Sequence, residues 1–209
     1  MMVFSTLGSV RQFNVKRRCF CLWLTQCLLL VCWGLFTPTA YAVDAIEVVS
    51  ARIERSIDGE AWMLNSDIDI NLGARLEDAV NKGLPLYFVL EVELTKSRWY
   101  WFDEKTVSRS QTYRLTYHAL TRQYRVAIGA FQQTFSTLQE AIDSMSRVRG
   151  WRVVDVDQLS NATRYDAQVR MRLDSSQLPK PFQVIGITNR DWQLSTEWKK
   201  FSFISKLAP

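Results

Sequence analysis

The sequence is short of the residues that carry most recognisable chemistry. Its four cysteines, Cys19, Cys21, Cys27 and Cys32, all lie within the first 42 residues. Once that segment is cleaved no cysteine remains, which excludes disulfides, zinc thiolates and a cysteine nucleophile. Histidine is scarcer still, since His118 stands alone. The glycines are too scattered for a phosphate loop: Gly73, Gly83, Gly129, Gly150 and Gly186 each sit singly between elements, and no His-Glu or Cys-rich metal signature occurs. A charge excess is missing as well. The formal +5 of the whole chain comes mostly from Arg11, Lys16, Arg17 and Arg18. Residues 43–209 carry 22 basic against 21 acidic side chains, a net of +1, and the charge argument for nucleic acid fails.

What is present begins with a leader. The basic Lys16-Arg17-Arg18 precedes an apolar run from Cys19 to Phe36, followed by Pro38 and a small-x-small site at Ala40-Tyr41-Ala42. This order predicts a secretory signal over residues 1–42 and an exported, periplasmic product. The leader exceeds the usual limit of roughly 30 residues, and its apolar run nears the ~17 that a membrane helix needs. An uncleaved inner-membrane anchor formed by residues 19–36 is therefore the alternative. Arg17-Arg18 fits a twin-arginine leader, but the strongly apolar core favours the general secretory route. Leu29-Leu30-Val31 before Cys32 argues against a lipoprotein. Residues 43–209 suffice for one domain with a sizeable core.

Period-two alternation dominates that domain. Ile46, Val48 and Ser50 open a first strand, and Asp58-Gly59 turns the chain into a second, where Ile68, Ile70 and Leu72 alternate with Asp67, Asp69 and Asn71. Leu76, Ala79 and Val80 fall at helical spacing, with Gly83 and Pro85 as stops. Even positions from Leu84 to Leu94 are apolar, whereas Glu91, Glu93 and Thr95 take the opposite phase. This phase breaks at Lys96-Ser97-Arg98, which predicts a bulge or a corner between sheets. Around Leu120-Thr121-Arg122 a hairpin sets Tyr113, Leu115 and Tyr117 against Tyr124, Val126 and Ile128. Thr137 and Glu140 form a capping box for a second helix, with Leu138, Ala141, Ile142, Met145 and Val148 as its stripe and Gly150 as its end. Val169, Met171 and Leu173 carry a later strand whose Gln168, Arg170 and Arg172 stay wet. "QLPKPFQ" makes a rigid loop before the closing "DWQLSTEWKKFSFI". Seven to nine strands with two short helices predict a mainly β protein, an antiparallel β-sandwich of immunoglobulin-like or C2-like type.

"LPLYFVLEVELTKSRWYWFDE", "YRLTYHALTRQYRV", "LPKPFQ" and "NRDWQLSTEW" together resemble an exported proteobacterial family known as a domain of unknown function. Its members are often encoded beside a sensor histidine kinase of the NtrY type. The resemblance thus implies a signalling connection and transfers no catalytic residue.

Candidate sites are few. His118 has no sequence partner that would make it a general base, and a place in hairpin packing suits it better. Asp67/Asp69, Glu91/Glu93 and Asp155/Asp157 each share a strand face, as a cation site or acid–base pair would require, but any half-exposed strand gives the same pattern. Arg109, Arg114, Arg122, Arg125, Arg147, Arg149 and Arg152 make the middle of the chain locally basic, as a solvated face or as a surface for anionic lipid or polyanion. The aromatic run Trp99-Tyr100-Trp101-Phe102 could fill a core, form a platform or meet a membrane interface. The expectation is a non-enzymatic module that binds a membrane-bound protein, such as a sensor kinase, through Arg98, Trp99 and Trp101 with Lys180 and Phe182. It implies no cofactor, metal or nucleic acid. The alternative is a carrier of a small apolar or glycan ligand held between the sheets, and a carboxylate hydrolase is third.

Overall fold

A computed structural model describes residues 45–96, 104–183 and 192–206. The described residues start with an antiparallel pair, β1 (Ala45–Arg55) and β2 (Ala61–Asn71), joined through the tight turn in which Gly59 takes φ 77°. A short helix, α1 (Gly73–Asn81), buries Leu76, Ala79 and Val80 and leads to a meander of β3 (Leu86–Lys96), β4 (Glu104–His118), β5 (Gln123–Ile128) and β6 (Phe131–Phe135). Helix α2 (Leu138–Ser146) returns the chain to β7 (Arg147–Asp155), which pairs with β2. Two 3-10 turns, Val156–Gln158 and Ser175–Gln177, flank β8 (Thr163–Leu173), and β9 (Lys199–Ser205) is the last strand among the described residues.

These strands form two antiparallel sheets, ordered β1-β2-β7 and β6-β5-β4-β3-β8-β9, around one apolar core. The protein is mainly β and sandwich-like, as its alternation predicts. Leu86, Phe88, Leu90, Val92 and Leu94 of β3 are buried in even phase, and Tyr165, Ala167, Val169, Met171 and Leu173 of β8 face the same interior. At about 25 cal/mol per Å² of apolar surface, such continuous burial is the main favourable term in the fold. On one side the layers are bridged by aromatics. Phe203 of β9 lies 5.4 Å from Trp62 of β2 and 5.9 Å, stacked, from Tyr165 of β8. On the other side α2 packs against β2, β5, β6 and β7, and Arg109 of β4 donates its Nε to the Val153 carbonyl of β7 at 3.2 Å.

Bulges account for most departures from simple alternation. In β1, Val48 pairs with Ile68 and Ser50 with Asp67, so Val49 is extra and 56% exposed. The core phase therefore passes from Ile46 and Val48 to Ala51 and Ile53. Ser50 turns outward and hydrogen-bonds Asp67 at 2.9 Å instead of joining the core. In β7, Arg149 and Gly150 together oppose Asn65, with Gly150 at φ 63°. The bulge thus places its second residue in the left-handed region, which glycine adopts without steric cost. The expected end of the second helix is thereby corrected. The Thr137–Glu140 capping box is present, but α2 stops at Ser146, Val148 is buried in β7, and Gly150 is a strand bulge. A buried residue at 148 satisfies both a helical stripe from Met145 and the inner phase of a strand, hence the ambiguity. Near the predicted phase break, the β3–β4 ladder slips between Leu94 and Thr95, leaving Thr106 extra on β4. Both strands remain in one sheet there, so Lys96 starts no corner between sheets.

Candidate functional site

The outer face of the large sheet carries the most organised set of polar side chains among the described residues. The alternation that buries Leu90 and Val92 turns Glu91 and Glu93 outward. The register with β8 then sets Arg170 opposite Glu91 and Gln168 opposite Glu93. Glu91 grips two arginines, accepting from Arg170 Nε at 2.5 Å and from Arg172 Nε at 3.0 Å. Side-chain exposures of 19% for Glu91 and 33% for each arginine mean that this network is only partly screened by water. Gln168 donates to Glu93 at 2.8 Å. Arg172 also reaches Asp174, 3.5 Å away. Burial works to raise the Asp174 pKa, but hydrogen bonds from Gln177 and Ser176, helped by Arg172, outweigh it and hold the carboxyl below its ordinary value. Trp198, in the segment that runs beside β8, covers Arg170, with the guanidinium carbon 4.4 Å from the ring centroid.

Exposed serines extend the face across β4, where Ser110 pairs with Glu91 and Ser108 with Glu93. Towards β9, Thr95, Asp166, Gln168 and Lys200 line an open depression of about 430 Å³. Glu91, Glu93 and Asp166, with Asp174 just beyond the end of β8, are matched by Arg164, Arg170, Arg172 and Lys200, so the face is polar without a strong sign.

The residues singled out from the sequence separate. Arg98, Trp99 and Trp101 lie outside the described residues. Their flanks, Lys96 and Glu104, pair with one another at the end of β3 where Lys96 also meets Tyr165. Lys180 and Phe182 follow β8 at the other end, where Leu173 pairs with Phe88. Eight residues at about 3.3 Å each separate Phe88 from Lys96, roughly 26 Å. Lys180 is exposed, whereas Phe182 is half-buried in a helical turn over 180–183 and tilts against Trp192 with centroids 5.9 Å apart. Trp192 and Leu194 are buried and anchor the segment after that turn.

The chemical candidates are tied into the structure. His118 Nδ1 lies 3.2 Å from Thr121 Oγ1 and accepts from the Thr121 amide at 3.4 Å, bracing the hairpin turn. Asp67 is held below its ordinary pKa chiefly by the Arg149 guanidinium and then by Ser50. Asp155 pairs with Arg152 at 2.6 Å. Among the described residues no group of three or more His, Cys, Asp or Glu side chains is placed to hold a metal ion. The Glu91–Arg170–Arg172 network was not apparent in the sequence, since only the cross-strand register unites residues 79 and 81 positions apart. The one sequence signal is a run of alternating polar residues in each strand.

A family model described as a domain of unknown function, DUF4390, matches residues 43–202. The chain belongs to the DUF4390 family. No curated protein and no solved structure matches it. The match takes in β1 to β8 and β9 as far as Ser202, so Glu91, Arg170, Arg172 and Trp198 all lie within this DUF4390 domain.

Proposed function

We propose that this DUF4390 protein is an exported, periplasmic module that binds another protein and performs no catalysis. Its partner in this reading is membrane-bound, with the extracytoplasmic part of a sensor histidine kinase as the leading candidate. The observation that carries the reading is the pinned Glu91–Arg170–Arg172 network with Trp198 over Arg170. Arginine and aromatic side chains are the enriched anchors of protein interfaces, and groups already held in place lose little conformational freedom on binding. Balanced charge favours a partner of mixed polarity over a polyanion.

The space between the sheets supports this reading over a carrier. It is filled by Leu64, Leu72, Phe88, Leu90, Leu94, Tyr165 and Met171, all less than 2% exposed. Among the described residues no helix is long and apolar enough to cross a membrane, and the candidate anchor at 19–36 lies outside them.

The test is a photoreactive amino acid placed at Ser110 in the native envelope, compared with one at Asn65 on the outer face of the small sheet. The expected result is one membrane protein crosslinked from Ser110 and absent from Asn65. Identical patterns from both positions, or no product from Ser110, would overturn the proposal.

A further inference from the structure

Opposite the side bridged by Phe203, the free edge of β7 meets β4 and β5 across a cleft of about 280 Å³. Its lining includes Gln111, Tyr113, Ser144, Arg147, Arg149 and Arg152 and no acidic residue. Two of the three arginines are committed. Arg149 donates to Asp67 and to the carbonyls of Ser66 and Val148, and Arg152 is held by Asp155. The Arg147 side chain makes no ion pair or hydrogen bond among the described residues, although its backbone pairs with Asp67 in the β2–β7 ladder, leaving one guanidinium at the cleft without a partner.

Tyr113 supplies a second, independent feature. It is only 3% exposed, and its single hydrogen bond is with the Gln111 amide at 2.8 Å. With the amide nitrogen donating to the tyrosine oxygen, the phenolic proton and the second amide N–H are left without acceptors. With the amide turned round, the phenol donates to the amide oxygen and both amide N–H groups are left over instead. Either arrangement presents two spare donors in a cleft that already holds a guanidinium without an ion pair, and buried donors of this kind are normally satisfied. Burial pushes the Tyr113 hydroxyl up to about 12, so it is a proton donor at any physiological pH.

We infer that this cleft binds a small phosphate-type oxyanion, free or carried as a lipid headgroup, with Arg147 supplying the charge and the Tyr113–Gln111 pair a neutral donor. A guanidinium fork matches two oxygens of such a group, and the remaining oxygens can accept from the neutral donor. The volume lies just below the range of about 300–1,000 Å³ typical of sites for larger ligands, consistent with a headgroup-sized occupant.

The test uses protein purified from the envelope, titrated calorimetrically with inorganic phosphate and, separately, with phosphatidylcholine vesicles containing or lacking phosphatidic acid. Saturable binding of either anionic probe that weakens about tenfold in R147Q and is unchanged in R122Q, a hairpin arginine away from the cleft, is the expected result. Phosphate binding identifies a free solute, and binding confined to phosphatidic acid vesicles identifies a headgroup. Y113F should weaken the same probe. R147Q keeps the test decisive if Y113F folds poorly, because Arg147 is exposed. No binding of either probe, or equal losses in R147Q and R122Q, would overturn the inference.

Discussion

Glu91 is one carboxylate serving two guanidinium groups, and its removal strands both. E91A should cost about 1–2 kcal/mol, the usual loss when partly buried charged donors lose their acceptor. E91Q, which keeps one acceptor oxygen, should cost less; urea denaturation of both variants checks this order. Two other side chains set pH limits with opposite signs. The Asp174 carboxyl lies below its ordinary 3.8 when folded, so its contribution is present above that value and disappears as pH falls through the folded pKa. D174N should therefore be less stable at neutral pH and lose less than the wild type between pH 5 and 3, as thermal melts would show. Tyr113, raised from 10.0 to about 12, contributes fully below pH 10 and loses that contribution as pH climbs towards 12. Y113F should flatten the alkaline fall in melting temperature over that interval, by the equivalent of roughly 3 kcal/mol. Neither residue was legible as a pH determinant in the sequence, because both effects depend on neighbours brought in by folding.

Among the elements, α2 and β7 test how local chemistry sets boundaries. T137A removes the hydrogen bond to the Glu140 amide and should cost about 1 kcal/mol in chemical denaturation. A Cβ at Gly150 would meet nothing within 4 Å, so any loss in G150A comes from the left-handed backbone alone, roughly 1 kcal/mol. G150N should recover part of it, since asparagine tolerates that conformation. If both variants lose the same amount, the bulge assignment fails. The capping box, the Asp58-Gly59 turn and the β4–β5 hairpin were readable because each is specified by residues a few positions apart. The bulges at Val49 and Gly150 were not, since each is defined by the residue it opposes on another strand. β6 was missed for a different reason: in Phe-Gln-Gln-Thr-Phe the first four side chains are exposed, and an edge strand so wet has no alternating signal.

At the scale of the whole molecule, the mainly β class followed from alternation, but the partition into three strands against six did not. β3 lies between β4, its neighbour in sequence, and β8, where Phe88 meets Leu173 across 85 positions. Such pairing predicts slow folding relative to helical domains of similar size. The other edge of β8 is covered in two stretches: Leu194 and Thr196 bond the backbone of Met171 and Leu173, and β9 pairs with Thr163 to Val169. A chain truncated after residue 191 loses both stretches, along with Trp192 and Phe203. It should give no cooperative unfolding transition, a result that tryptophan fluorescence can check. The same arrangement fixes an order of events as the chain emerges N-terminus first, whether from the ribosome or from a translocon. β8 emerges before the segment that shields it, so every nascent chain passes through a stage with one strand edge bare and the place of Phe203 over Trp62 unfilled. During that interval a strand-sheltering chaperone has something to hold, and once the final segment zips along β8 it has nothing.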